Sequence, residues 1–236
     1  MRIETSLVKV GSDFENLQDF RSGLANWNAV YSNGEQLNRF PYTDVVSFFF
    51  RNLCRRSNLT ALDVGTGSGV HANFLAEMGC KVFAFDQSPE AVRHASVINQ
   101  HQNITYRCSS LEEMNLEGLE IDVVVDRLSS THSSKSSVHA LYSNLPNFMT
   151  INSKLFWQGF SFEHSDRRYG QRKDDYWSDF SQGMFVDIAP VVFFTEAEVR
   201  EIFKNYRIDN IFHDQRTILS DSRVLAWWTV EATLDA

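Results

Sequence analysis

The sequence predicts an α/β, doubly wound domain built on a mostly parallel sheet of seven strands. Three observations predict it. From residue 58 onward, short apolar runs alternate with amphipathic helical segments. One run, Val123-Val124-Val125, has the unbroken texture of a strand covered on both faces, as parallel strands are. A glycine turn, Gly65-Thr66-Gly67-Ser68-Gly69, leaves the first run and opens the helix after it.

The elements follow in order. Residues 1–57 read as an added helical cap, and Tyr42 to Leu53 is apolar enough to lie against the sheet. Leu59 to Val64 is the first strand. Val70, Phe74, Leu75 and Met78 form the buried stripe of the next helix, which Gly79 ends. Lys81 to Asp86 is the second strand, and Ser88-Pro89 caps and starts the helix behind it. Ile104 to Cys108 and Ile121 to Asp126 are further strands. A helix over about 136–149 precedes the strand Lys154 to Phe160. Residues 161–194 are too long for a plain connection and predict a lid or binding insertion. Thr195 and Glu198 make a capping box, and strands over about 206–213 and 223–231 close the chain. No linker divides residues 1–236, so one domain is expected, with its core over 58–236.

Composition limits the function. With 43% hydrophobic and 22% charged residues the chain is globular. Twenty-two basic against 30 acidic residues give −8, which disfavours nucleic acid as a partner and favours a small-molecule substrate. The 3 cysteines contain no C-x-x-C pair, so a reducing cytoplasm is the expected location. The opening MRIETSLVKVGSDF lacks the apolar stretch of a signal peptide, and no run is long enough to span a bilayer.

The glycine turn carries the chemistry. Glycines let backbone approach a ligand closely. A pyrophosphate-binding turn wants Gly-x-Gly-x-x-Gly; here the third glycine comes one place early, and Val70 holds the place reserved for it. Asp63, two residues before Gly65, would repel a pyrophosphate and attract an ammonium group. The run Asp63-Val64-Gly65-Thr66-Gly67-Ser68-Gly69 resembles the first motif of the class I S-adenosylmethionine-dependent methyltransferases. That resemblance implies a Rossmann-like methyltransferase fold, S-adenosyl-L-methionine as cofactor and methyl-transfer activity.

By the same resemblance Asp63, Gly65 and Gly67 line the methionine part of the cofactor, within a loop that includes Thr66 and Gly69. Asp86, ending the second strand, would bind both ribose hydroxyls, with Gln87 beside the adenine. Ser109 or Ser110 would accept from the adenine amino group and Leu111 would cover the ring. Alternatively, a serine caps a helix begun by Glu112 and Glu113. Tyr31 and Arg39 in the cap are candidate donors to the methionine carboxylate.

The acceptor side lies beyond the fourth and fifth strands. Asp126 is expected near the sulfonium end, as cofactor contact and as a catalytic candidate. His132 just after it and His164 in the insertion are candidate general bases, and an ordinary imidazole would lose rate below about pH 6.5. Tyr169, Tyr176 and Trp177 are candidates to wall the acceptor pocket, and Arg167, Arg168 and Arg172 to hold an anionic group or face solvent. No carboxylate cluster suggests a metal. The segment Gly34 to Tyr42 has a likeness to bacterial methyltransferases linked to sugar or surface-polysaccharide modification, which makes a sugar hydroxyl the expected acceptor. The rivals are nitrogen or protein acceptors, a non-catalytic S-adenosylmethionine-binding module, and a nicotinamide-dependent oxidoreductase.

Overall fold

The computed structural model describes residues 26–188 and 190–235. The opening run, MRIETSLVKVGSDF, lies outside the described residues. Residues 26–32 are helical, followed by α1 (Thr43–Asn52), β1 (Thr60–Val64), α2 (Val70–Glu77), β2 (Lys81–Asp86), α3 (Pro89–Ile98), β3 (Ile104–Cys108) and β4 (Ile121–Arg127). Next come α4 (Lys135–Asn144), β5 (Met149–Phe160), β6 (Gln171–Lys173), β7 (Tyr176–Ser178), α5 (Glu196–Ile202), β8 (Arg207–Ile218) and β9 (Arg223–Thr233). The main sheet has 7 strands in the order β3-β2-β1-β4-β5-β9-β8. Strands β1 to β5 run parallel, and β9 inserts antiparallel between β5 and β8.

Period-2 alternation sorts the strand side chains onto two faces. Leu62, Val64, Phe83, Phe85 and Val124 pack with α4 and α5 in one cluster. Ala61, Val82, Ala84, Val123, Val125 and Phe156 pack with α1 and α2 in the other. The apolar run before residue 53 does lie on the sheet: the Phe48 ring packs tilted against Phe156 with centroids 5.4 Å apart. A fully buried phenylalanine of this kind contributes about 1.5–3 kcal/mol of transfer free energy.

Two expectations need correction. Residues 109–113 carry no helix, only a turn, so neither serine caps one there. The helix expected over 136–149 stops at Asn144 and tightens into a 3₁₀ turn, Leu145–Phe148, because Pro146 cannot continue it. The insertion builds a small core from Trp177, Phe180, Phe185, Val191 and Phe193 against Phe160 at the end of β5.

Both ends of the site rest on how the parallel strands finish. The crossover between β1 and β4, where strand order reverses, opens a crevice at their carboxyl ends. Because β9 runs the other way, its first residues, Leu225 and Trp227, meet the same end of the sheet.

Candidate active site

A cavity of about 420 Å³ occupies this crevice. Its size suits a cofactor-sized ligand. The floor is the glycine turn. Gly65 and Gly67 have φ of +65° and +55°, a conformation side chains avoid. A Cβ on Gly65 would lie 1.5 Å from Ser129 Oγ, and one on Gly67 would lie 2.7 Å from Tyr31 Oη. The loop is a cradle that only glycine fits, closed from above by the helical residues 26–32.

Asp86 stands on the rim. Its carboxylate accepts from the Gly67 and Ser88 amides, each at 2.9 Å. Burial lifts its pKa to about 6, against the pull of those two bonds. Gln87, Ser109, Leu111 and Met114 continue the wall on this side. Of the two serines only Ser109 lines the cavity; Ser110 does not.

Five residues expected to contact the cofactor lie off the wall. Asp63 points beneath the loop, where it accepts from Thr66 Oγ1 at 2.6 Å; burial raises it to about 7. Gly69 turns the chain into α2 and abuts Ala95 and Tyr106. Arg39 is exposed outside the cavity. Asp126 is fully buried and accepts from Tyr142 Oη at 2.6 Å and from the Ser129 and Ser130 amides. Its work is to anchor the turn after β4, and burial raises its pKa. Ser110 completes the five.

Arg127, not Arg39, is the arginine on the cavity wall. Its guanidinium lies 3.2 Å from the centroid of the Tyr42 ring and its Nε lies 3.7 Å from Asp44. That Nε is buried and has no hydrogen-bond partner. Sequence reading passed over it, although period 2 puts it on the α1 face with Val123 and Val125. His71 also reaches the wall; its Nε2 accepts from the Tyr42 amide at 3.4 Å, and burial lowers its pKa to about 4.

Both candidate histidines line the far end. Leu128, at φ +59°, bends the chain out of β4, and the 3₁₀ turn Ser130–His132 follows. The His132 ring meets Trp27 edge-on at 5.0 Å and Phe160 at 6.2 Å. It bonds to the Pro190 backbone, while Nδ1 is buried without a partner. Desolvation lowers its pKa to about 4, so the break expected near pH 6.5 shifts far down. His164 is 1% exposed. Its Nδ1 accepts from the Asp166 amide at 3.2 Å, its Nε2 has no partner, and burial lowers it to about 4.

The insertion contributes Met184, Phe185 and Ile188 to the wall, which sequence reading did not single out. Tyr169, Tyr176 and Trp177 are elsewhere. Arg167 stacks on Phe162 at 3.7 Å, Arg172 on Trp177 at 5.4 Å and Arg168 on Tyr169 at 4.8 Å, none on the cavity.

Residues 61–149 match the model of a family described as a methyltransferase domain. Residues 61–149 thus resemble a methyltransferase domain, and the chain shares the fold of S-adenosylmethionine-dependent methyltransferases. Structural likeness extends beyond the matched segment. A methyltransferase from Anabaena variabilis is 16% identical, with 91% of this chain and 94% of that one covered at a TM-score of 0.65. One from Methanosarcina mazei is 14% identical, with 84% and 99% covered at 0.63. The N-methyltransferase NodS of Bradyrhizobium japonicum, in complex with S-adenosyl-L-homocysteine, is 13% identical, with 93% and 98% covered at 0.59. No curated protein matches the sequence.

The residues of the cavity fit S-adenosyl-L-methionine. The cavity offers a glycine cradle, a rim carboxylate, an unsatisfied buried guanidinium nitrogen and apolar Leu111 and Met114. Among the described residues no group of three or more His, Cys, Asp or Glu could hold a metal. No helix among them is long and apolar enough to cross a membrane.

Proposed function

We propose that this methyltransferase acts on a hydroxyl oxygen of a small molecule, with His132 as the base. When bound, the cofactor supplies a methyl group activated on a sulfonium. Asp86 accepts hydrogen bonds from the ribose hydroxyls, Gln87, Ser109, Leu111 and Met114 bound the adenine, and Arg127, with Tyr31 above the loop, holds the methionine carboxylate. Asp63, off the wall, fixes the loop through Thr66. Asp126 acts through the turn it anchors.

The observation that carries the reading is His132 itself, a residue of the cavity wall whose buried Nδ1 has no partner. The bond to Pro190 puts the ring proton on the other nitrogen, and burial keeps the imidazole neutral. Nδ1 therefore accepts from the acceptor hydroxyl, takes its proton as the oxygen bonds to the methyl carbon, and carries the one positive charge afterwards. The carbon–sulfur bond breaks in the same step, so charge in the cavity is conserved.

Incubation with labelled S-adenosylmethionine and a metabolite extract tests this, with the labelled product identified by mass and fragmentation. An O-methyl product is expected. A methyl on nitrogen would overturn the hydroxyl assignment and favour the chemistry that the name of NodS describes.

A further inference from the structure

We infer that the acceptor is an uncharged aromatic hydroxy compound carrying a second group that accepts a hydrogen bond, and that His164 positions it. This deepens the proposed function and rests on it. The two histidines present opposite polarity. His132 offers a lone pair at Nδ1. His164 uses its Nδ1 to accept from the Asp166 amide, so its neutral ring carries the proton on Nε2, an unsatisfied donor. Both rings flank Phe160, edge-on at 6.2 and 5.6 Å.

Two further features narrow the class. The charged side chains among the described residues lining the cavity are Asp86 and Arg127, both of which the proposed function assigns to the cofactor. Nothing charged remains for the acceptor. Besides the two imidazoles this part of the wall carries Trp27, Phe160, Phe185 and Trp227, with the hydroxyls of Ser129 and Ser133 next to His132. Such a wall suits a flat apolar ring. A sugar carries a hydroxyl on almost every carbon, and each one buried without a partner is costly. One buried acceptor and one buried donor on either side of Phe160 match a ring with one hydroxyl and one carbonyl.

The probes are the three isomers of hydroxyacetophenone, with phenol, acetophenone and methyl α-D-glucopyranoside as comparisons. Binding is read from tryptophan fluorescence, since Trp27 and Trp227 line the chamber, in saturating S-adenosyl-L-homocysteine. At least one hydroxyacetophenone should bind saturably, about tenfold tighter than phenol or acetophenone, and the glucoside should not bind. In His164→Phe, which keeps the aromatic wall, that isomer should fall to the affinity of phenol while phenol itself is unchanged. Damage to the insertion alone would weaken both equally. The inference is overturned if the glucoside binds as well as the phenols, if no isomer exceeds phenol, or if His164→Phe lowers both probes alike. Calorimetry with S-adenosyl-L-homocysteine separates the levels. Cofactor binding without phenol binding sinks only this inference, whereas no cofactor binding sinks the proposed function with it.

Discussion

Lowering the pH from 7 to 5 during a calorimetric titration with S-adenosyl-L-homocysteine tests the ribose site through its protonation. In the ligand-free protein Asp86 titrates near 6, because burial outweighs the bonds from the Gly67 and Ser88 amides. Ribose hydroxyls donate to the ionised carboxylate, so binding draws its pKa down and expels a proton below pH 6. Affinity should then drop about tenfold per pH unit below 6, leaving the complex at pH 5 about tenfold weaker than the plateau, or roughly 1.4 kcal/mol. Asp63 also titrates near 7, so the wild-type slope alone does not isolate Asp86. Asp86→Asn does. It removes charge-assisted bonds of about 1.5–3 kcal/mol, weakens binding at least tenfold at pH 7, and should flatten the slope between pH 5 and 6. One of the two amides loses its acceptor, so the melting temperature should fall as well. A wild-type affinity independent of pH from 5 to 7, or an unaltered slope in Asp86→Asn, refutes the ribose assignment.

Gly67→Val should abolish cofactor binding in a protein that still folds: φ of +55° costs an L-residue about 1–2 kcal/mol, and the new Cβ would crowd Tyr31. Normal binding by that variant would reduce the loop to a structural turn. His132→Ala should bind the cofactor as wild type does yet turn over about 10²–10⁴-fold more slowly. Because burial holds His132 near 4, wild-type kcat should be level from pH 8 to about 5 and fall only below that, as the lone pair is protonated; a break near 6.5 would contradict the buried ring. Arg127→Met keeps an apolar contact with Tyr42 but removes the cation. Wild type should prefer S-adenosylmethionine to its decarboxylated form, and the variant should bind both equally; an undiminished preference would move the carboxylate site elsewhere.

Local patterns made the strands and the glycine-turn side of the cavity legible. The Gly65-Thr66-Gly67 turn, the acid closing β2 and the Thr195–Glu198 capping box are each set by neighbours in the chain. Asp126 and Arg127 show where such reading stops. They are adjacent, so period 2 sends them to opposite faces: Asp126 toward Tyr142, Arg127 toward Tyr42. Which face opens into the cavity depends on α1 crossing over β4 and β5, a tertiary fact. Asp63 was legible as an acid at the right place, but its partner Thr66 turns it into a loop brace. The insertion was legible only as excess length. Phe185 and Ile188 reach the cavity because Asp166, tied to Arg223 and accepting from the Met184 amide, pins that segment down. Nothing in residues 161–194 announces that pairing.

The reversed direction of β9 has a consequence for synthesis on the ribosome. Gly67 and Trp227 border one cavity but are 160 positions apart in the chain. At about 5–20 residues per second, the glycine loop leaves the peptidyl-transferase centre roughly 8–30 s before Trp227 is added. Strands β1 to β4 can pair in that interval, since all four precede β9 in the chain and pair only with one another and β5. Strand β5 is left with an open edge until β9 arrives to pair with it. A nascent chain therefore holds the glycine loop well before it has the Leu225–Trp227 wall at the other end of the same cavity, and a chain stalled before residue 223 would have half a cavity.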